Sequence, residues 1–494
     1  MPAPTPDAPL PESCDAVIIG AGFAGIAMGR QLDRAGVSDF VILERADGPG
    51  GVWRANRYPG AACDVPSHLY SFSFYPNPDW SRKYSPQAEI LAYLDHAANA
   101  FDLRRRMRFG CTVTGLAFDQ GEGRWQVTLG DGRAISARTV ISAVGQLSEP
   151  VMPDIPGLDG FEGRVVHSAE WPEDLDVTGQ NVAVIGAAAS AVQLLPEMAR
   201  RAAHLTVFQR TPNWIIDKPD RAFTALEKAA FRHVPGWHWL YRTASFLIHE
   251  TRFSAFLSGT LANAFTRWRM LARLKREVPD PDLRAKLTPD FAPGCKRILL
   301  TSDFYETVQR SNVTLDDSGV ARAGPREIIN GKGKRVPAGT LVFATGFKAT
   351  QFLPTISVTG RDGRSLHDVW GDSPRAYRGV AVHGFPNLFI LYGPNTNLGH
   401  NSIIFMLERQ SEYAARQVAR VIGEDLRALE VTAEAEARFN ERIQARLART
   451  VWAEDCPSWY KTRDGVITNN WSGLATGFAL ALSRGDAQAW SAER

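Results

Sequence analysis

Two glycine-rich turns are the first residues whose types and spacing imply chemistry. In "CDAVIIGAGFAGIAMGRQLDRAG" an apolar run ends at Gly20, and Gly22 and Gly25 follow. Gly20 permits a tight turn, Gly22 lets backbone approach a pyrophosphate, and Gly25 lets a helix pack closely on a strand. The helix that follows would aim free N–H groups and a partial positive charge at the phosphates. Glu44, at the end of "FVILER", lies about 20 residues further on, where a carboxylate can accept hydrogen bonds from a ribose diol.

The pattern recurs in "QNVAVIGAAASAVQLLPEMARRAAHLTVFQR", which again reads strand, Gly186, helix, strand. Here the second strand ends in Arg210 and not in an acid. An acid suits an unmodified ribose, and arginine suits a 2′-phosphate. The first unit therefore reads as FAD-binding and the second as NADPH-binding, with Lys218 or Thr211 as helpers of Arg210. Ala188 and Ala191 stand where the second and third glycines are expected, so a methyl group should narrow the approach to the pyrophosphate. Between the two units lies "FEGRVVHSAEWP", in which His167 has Phe161 before it and Trp171 after it.

Ordinary elements must hold these turns. A buried strand is expected at Ala16–Ile19, with an apolar-periodic helix after it. From Arg221 to about Pro293 the pattern turns helical. Phe246, Phe253, Phe256, Leu257 and Leu261 fall at helical spacings, with Arg242, Glu250 and Arg252 between them. These aromatics would form the core of an insertion, line a substrate entrance or, third, belong to an amphipathic helix on a membrane surface. Strands return at Gly339–Phe347 and in "NLFILYGPNTNLGHNS" (387–402), and a helix is expected from Ser402 to Val421. The expected fold is α/β, two Rossmann-like dinucleotide-binding domains with a helical insertion. The expected division is 1–150 (first domain, first part), 151–219 (second domain, first part), 220–293 (insertion), 294–348 (second domain, second part) and 349–494 (first domain, second part).

Composition narrows the classes. A chain of 494 residues exceeds one ordinary core. Lys plus Arg (56) nearly balances Asp plus Glu (53), so the charge points to no nucleic-acid partner. No apolar run approaches the ~18 residues of a membrane span, so stable membrane insertion is not expected. Cys14, Cys63, Cys111, Cys295 and Cys456 are scattered, with no CxxC spacing. That argues against a structural metal and a disulfide scaffold, and for a cytoplasmic location. "MPAPTPDAPLPES" reads as a disordered leader and not a signal peptide.

Taken together, the motifs resemble Baeyer–Villiger monooxygenases. "FEGRVVHSAEWP" is similar to the FxGxxxHxxxWP fingerprint of that family at Phe161, Gly163, His167, Trp171 and Pro172. "GGVW" (50–53), "YPGAACDVPSHLYSFSF" (58–74) and "FATGF" (343–347) resemble the same flavin monooxygenases, and the likeness runs from about residue 15 to about residue 475. In "GCKRILLTSDFYETVQRSNVTL" the resemblance puts the catalytic arginine at Arg297, and in "CDVPS" it puts the aspartate that orients it at Asp64. It implies FAD contacts from Gly20, Gly22, Phe23, Ala24, Gly25, Glu44, Gly51, Val52, Trp53, Asp64, Tyr70 and Val113. For NADPH it implies Gly186, Ala187, Ala188, Ala189, Ser190, Ala191, Gln193, Arg210 and Thr211. His167 and Trp171 would then latch the linker between the domains, the imidazole donating to one backbone group and accepting from another.

The resemblance also implies a reaction. NADPH reduces FAD, O₂ adds as a flavin C4a-peroxide, and a ketone becomes an ester or lactone. Three other classes are alternatives. An N- or S-oxygenating flavin monooxygenase would act on amines or sulfides. A flavin disulfide reductase would need a cysteine pair beside the flavin. A flavoprotein that only binds or senses would need neither Asp64 nor Arg297.

Overall fold

The computed structural model describes residues 9–456 and 458–494, so most of the proline-rich leader lies outside the described residues. The first unit begins with β1 (Ser13–Ile19), α1 (Phe23–Arg34) and β2 (Phe40–Leu43). β1 and β2 run parallel, with Ala16 opposite Phe40 and Ile19 opposite Leu43. β1 starts three residues earlier than its apolar run because Ser13 and Cys14 pair with Ser136 and Ala137 of a distant strand. β3 (Met107–Arg108), β4 (Val113–Asp119), β5 (Arg124–Leu129) and β6 (Ala134–Ser142) follow. β4, β5 and β6 form an antiparallel meander whose last strand returns to lie parallel to β1. Much later the chain rejoins this eight-stranded sheet, at Ser357–Thr359 beside β4 and Leu388–Ile390 beside β6.

The second sheet has five parallel strands in the order Val313–Asp316, β9 (His204–Phe208), β8 (Asn181–Ile185), Thr340–Phe343, β7 (Arg164–His167). A parallel sheet is covered on both faces, which is why Val182, Ala183 and Val184 are all buried and do not alternate. Residues 220–293 carry four α-helices, Ala225–His233, Trp237–Thr251, Leu261–Glu277 and Pro281–Lys286. Their starts are written locally. Thr224 and Glu227 form a capping box, and Thr260 and Asp280 accept hydrogen bonds from the first turns they cap. The expected apolar stripe divides: Phe246 and Phe253 pack on the first unit's core and Phe256 is buried, whereas Leu261 is exposed. The helix Ile403–Gly423, capped by Ser402, lies where a helix was expected, and it packs along α1. No helix among the described residues is long and apolar enough to cross a membrane.

One expectation is corrected. Cys295 and Cys456, 161 residues apart, form a disulfide, while Cys14, Cys63 and Cys111 are free and buried. Sequence scatter says nothing about which cysteines the fold brings together. The bond ties the segment that carries Arg297 to the loop that carries Trp459 and Tyr460. Closing so long a loop restricts the unfolded chain, and losing such a bond typically costs about 2–4 kcal/mol. Cys456→Ala should therefore melt several degrees lower than the oxidised parent. Reductant should lower the parent's midpoint and leave the variant's unchanged; an insensitive parent would mean that the bond does not form.

Candidate active site

The first glycine turn is built as its spacing implies. Gly20 has φ 105°, and a Cβ there would stand 2.7 Å from the Ala143 carbonyl oxygen. A Cβ at Gly25 would overlap the Gly20 carbonyl. Gly22 meets Gly51 of the "GGVW" turn, where a Cβ would come 3.5 Å from the Gly51 Cα. Glu44 is buried, accepting from the backbone N–H of Ala21 at 2.8 Å and of Ala46 at 2.9 Å. Each carboxylate oxygen so keeps a lone pair for a ribose hydroxyl. A glycine cradle at a helix N-terminus with an acid at its rim fits a dinucleotide with a free ribose.

These groups open on a cleft of about 1670 Å³. Gly20, Gly22, Phe23, Ala24, Glu44, Gly51, Val52, Asp64, Tyr70, Val113, Trp171 and Arg297 line it together, whereas Gly25 and Trp53 stand behind. Trp53 donates through its indole N–H to the Tyr70 hydroxyl at 3.2 Å. Across 233 residues, Arg297 Nη2 donates to Asp64 Oδ2 at 3.0 Å. The Asp64 side chain is 10% exposed and that of Arg297 42%, the latter opening onto the cleft. Burial alone would ease the proton off Arg297, but Asp64, aided by Tyr460 and Tyr392, holds its pKa above the usual arginine value. Asp64 is thus no turn cap and Arg297 no surface charge.

The second turn repeats the backbone. Gly186 has φ 110°, and a Cβ there would overlap the Ala344 carbonyl. Ala188 caps its helix at φ −90°, ψ −159°, close to the −82°, −162° of Gly22. Ala188 is exposed. Ala191 is fully buried in the core of that unit. Arg210 is exposed beside Thr211, without a carboxylate partner among the described residues. This suits a free 2′-phosphate. Gly186, Ala187, Ala188, Ala189, Ser190, Gln193, Arg210 and Thr211 lie outside the cleft.

Two of the expected cofactor residues have partners in the first unit. Lys218, expected near the 2′-phosphate, places Nζ 3.6 Å from Asp64 Oδ1. Gln193, expected on the cofactor, uses its amide on the other unit: its oxygen accepts from the Tyr58 hydroxyl at 2.9 Å, and its nitrogen donates to Asp64 Oδ1 at 3.1 Å. His167 is buried; its Nδ1 accepts from the Ala169 N–H at 3.1 Å, and its Nε2 has no partner among the described residues. The Nδ1 bond closes a local turn, and a backbone contact with Gly346 brings the ring to the returning segment of the second unit. Phe161 is buried in the core under Leu341 and Phe343, and Gly163 is there because a Cβ would overlap the Gly339 carbonyl and the Phe161 ring. Trp171 carries the linker to the cleft wall, with Pro172 half-buried beside it.

Sequence spacing missed several wall residues. Tyr392 donates to Asn397 Oδ1 at 2.7 Å, and Gln146 donates to the Tyr392 carbonyl at 3.0 Å. His400 and Asn401 also line the wall and are held from behind by Glu250 of the insertion, which accepts from Asn401 at 2.8 Å and from His400 at 3.3 Å. None of these has a local signature; each is placed by its partner.

Comparison with known proteins agrees with this geometry. Residues 17–226 match the family model described as pyridine nucleotide-disulphide oxidoreductase. The chain is 42% identical to a Baeyer–Villiger monooxygenase of Streptomyces coelicolor, over 96% of this chain and 92% of that one. Among solved structures it resembles an oxidised steroid monooxygenase bound to NADP, with TM-score 0.86 and 32% identity over 98% of this chain and all (100%) of that one. It also resembles OTEMO in complex with FAD and NADP, with TM-score 0.87 and 28% identity over 98% of this chain and 100% of that one. Two Rossmann units, an arginine–aspartate pair at their shared cleft and a relative of this identity and coverage lead to one assignment: the chain belongs to the Baeyer–Villiger monooxygenase family.

Proposed function

We propose that the protein is an FAD- and NADPH-dependent monooxygenase that inserts one oxygen atom of O₂ beside the carbonyl of a small-molecule ketone, giving an ester or lactone. The observation that carries this reading is the Asp64–Arg297 pair at the wall of the cleft that the first glycine turn opens on. The first sheet, with residues 1–150 and 349–494, would hold FAD, and the second, with 151–219 and 294–348, NADPH. FAD, when bound, supplies the acceptor for hydride and the centre that activates O₂.

The chain's own residues do the rest. Gly20 and Gly22 admit the pyrophosphate, and Glu44 fixes the ribose. Arg297 keeps a permanent charge and offers N–H groups to the negative charge that develops on oxygen, with Asp64 aiming the fork. Phe256, Met270, Leu398 and Ile403 line the same cleft and exclude water around an apolar ketone.

A disulfide reductase fits less well, because Cys295 and Cys456 are buried and do not line the cleft. The three free cysteines agree with a cytoplasmic location, and the Cys295–Cys456 bond argues against it. The test is purified yellow protein with NADPH, O₂ and linear, cyclic and aryl ketones, alongside sulfides and amines. Ester or lactone products support the reading; N-oxides or S-oxides alone would replace it with the heteroatom-oxygenating class. Coenzyme choice gives a further expectation. Arg210→Ala should raise the NADPH KM by about tenfold or more, the loss of a charge-assisted bond of about 1.5–3 kcal/mol. NADH kinetics should hardly change, and a parent that prefers NADH would rule out this role for Arg210.

A further inference from the structure

We propose that Lys218 is a positioning residue for Arg297 and acts through the carboxylate the two cations share; this rests on the monooxygenase reading above. Three separate pieces of chain meet at Asp64. Arg297 donates to Oδ2 at 3.0 Å, while Oδ1 has Gln193 Nε2 at 3.1 Å and Lys218 Nζ at 3.6 Å. The Lys218 side chain is 13% exposed, and Asp64 is its one carboxylate partner among the described residues. Its ammonium also lies 5.4 Å from the centre of the Tyr84 ring.

One carboxylate therefore faces two cations. Arginine and a free carboxylate tend to close into a two-pronged clamp in which both oxygens are used. Lys218 and Gln193 occupy Oδ1, so Arg297 receives one bond only. Among the described residues no other acceptor takes a hydrogen bond from its guanidinium, so the remaining N–H groups stay directed at the cleft. The cluster also keeps a net positive charge, from two cations and one anion. Without the ammonium, Asp64 is free to turn both oxygens to Arg297, and the pair becomes neutral and closed. Lys218 does not line the cleft, although its neighbours Asp217 and Pro219 do. It acts on substrate only through Asp64 and Arg297.

The test compares the holoenzyme with its Lys218→Met and Lys218→Arg variants. The methionine keeps the stem and removes the charge. Expected for Lys218→Met are normal FAD content and an NADPH KM near that of the parent. Ester formed per NADPH consumed should fall about tenfold, with the missing oxygen recovered as hydrogen peroxide. Lys218→Arg should restore most of the yield. A second readout needs no turnover: phenylglyoxal labelling of Arg297, followed by peptide mass spectrometry, should be slower in Lys218→Met because Asp64 holds the guanidinium closed. An unchanged ester yield, or unchanged labelling, overturns the proposal. So does a raised NADPH KM with normal yield, which would return Lys218 to the 2′-phosphate. If the parent makes no ester from any ketone, the monooxygenase reading fails, and the labelling rate alone still decides the role of Lys218.

Discussion

Arg297→Ala is expected to lower ester formation by about two to three orders of magnitude, while FAD stays bound and is still reduced by NADPH. The pair touches neither glycine turn, so losing the guanidinium leaves both nucleotide cradles intact. What is lost is a fixed cation with free N–H donors at the cleft wall. A guanidinium stays charged at any working pH, and Asp64 strengthens that hold. NADPH consumption should continue and end in hydrogen peroxide. Asp64→Ala should weaken the same step by misaiming the fork, and the double variant should be little worse than Arg297→Ala alone, because the two act as a unit. Stopped-flow reduction together with product counting checks both statements. Substantial ester formation by Arg297→Ala would remove the basis of the mechanism.

The nucleotide turns were legible because their chemistry is local. Gly20, Gly25 and Glu44 work through neighbours a few residues away or one strand over, and their spacing carries the reason for each. Asp64 and Arg297 entered by resemblance alone, since no spacing rule links positions 233 residues apart. The approach of Lys218 to Asp64 was hidden for the same reason. Its position just after Arg210 suggested the 2′-phosphate, but the chain turns between them and delivers the ammonium to Asp64. Cys295 and Cys456 show the limit from another side, because pairing is decided by how the segment that carries Arg297 and the C-terminal loop meet. The insertion is helical, but its apolar stripe is broken: Phe246 lies on the helix Trp237–Thr251, Phe253 and Phe256 on the 3₁₀ turn Arg252–Phe256, and Leu257 after it in extended backbone. The stripe's division between core and solvent depended on the first unit's core, which its own sequence does not encode.

Glu250→Gln is expected to cost about 2–3 kcal/mol of stability at neutral pH, and the cost should shrink in acid. Glu250 is 6% exposed. Oε1 accepts from His400, Asn401 and the Ala475 N–H, and Oε2 from the N–H and hydroxyl of Thr476. It joins the insertion helix to the loop at the cleft wall, and it sits at the N-terminus of the helix Ala475–Ser483, where a negative charge is favourable. Burial pushes its pKa up, but bonds from His400, Asn401 and Thr476 outweigh burial and bring it down to about 2 from 4.5. A glutamine turns an amide N–H against one or more of these donors and leaves them unsatisfied. Because the folded pKa lies below the unfolded one, the carboxylate's contribution is fully present above about pH 4.5. It is lost as pH falls toward 2, where the folded group takes up its proton. The gap in denaturant midpoint between parent and Glu250→Gln should thus be widest at neutral pH and narrow steadily below 4.5. A gap that is constant with pH would mean that the carboxylate's charge contributes nothing to holding the insertion in place.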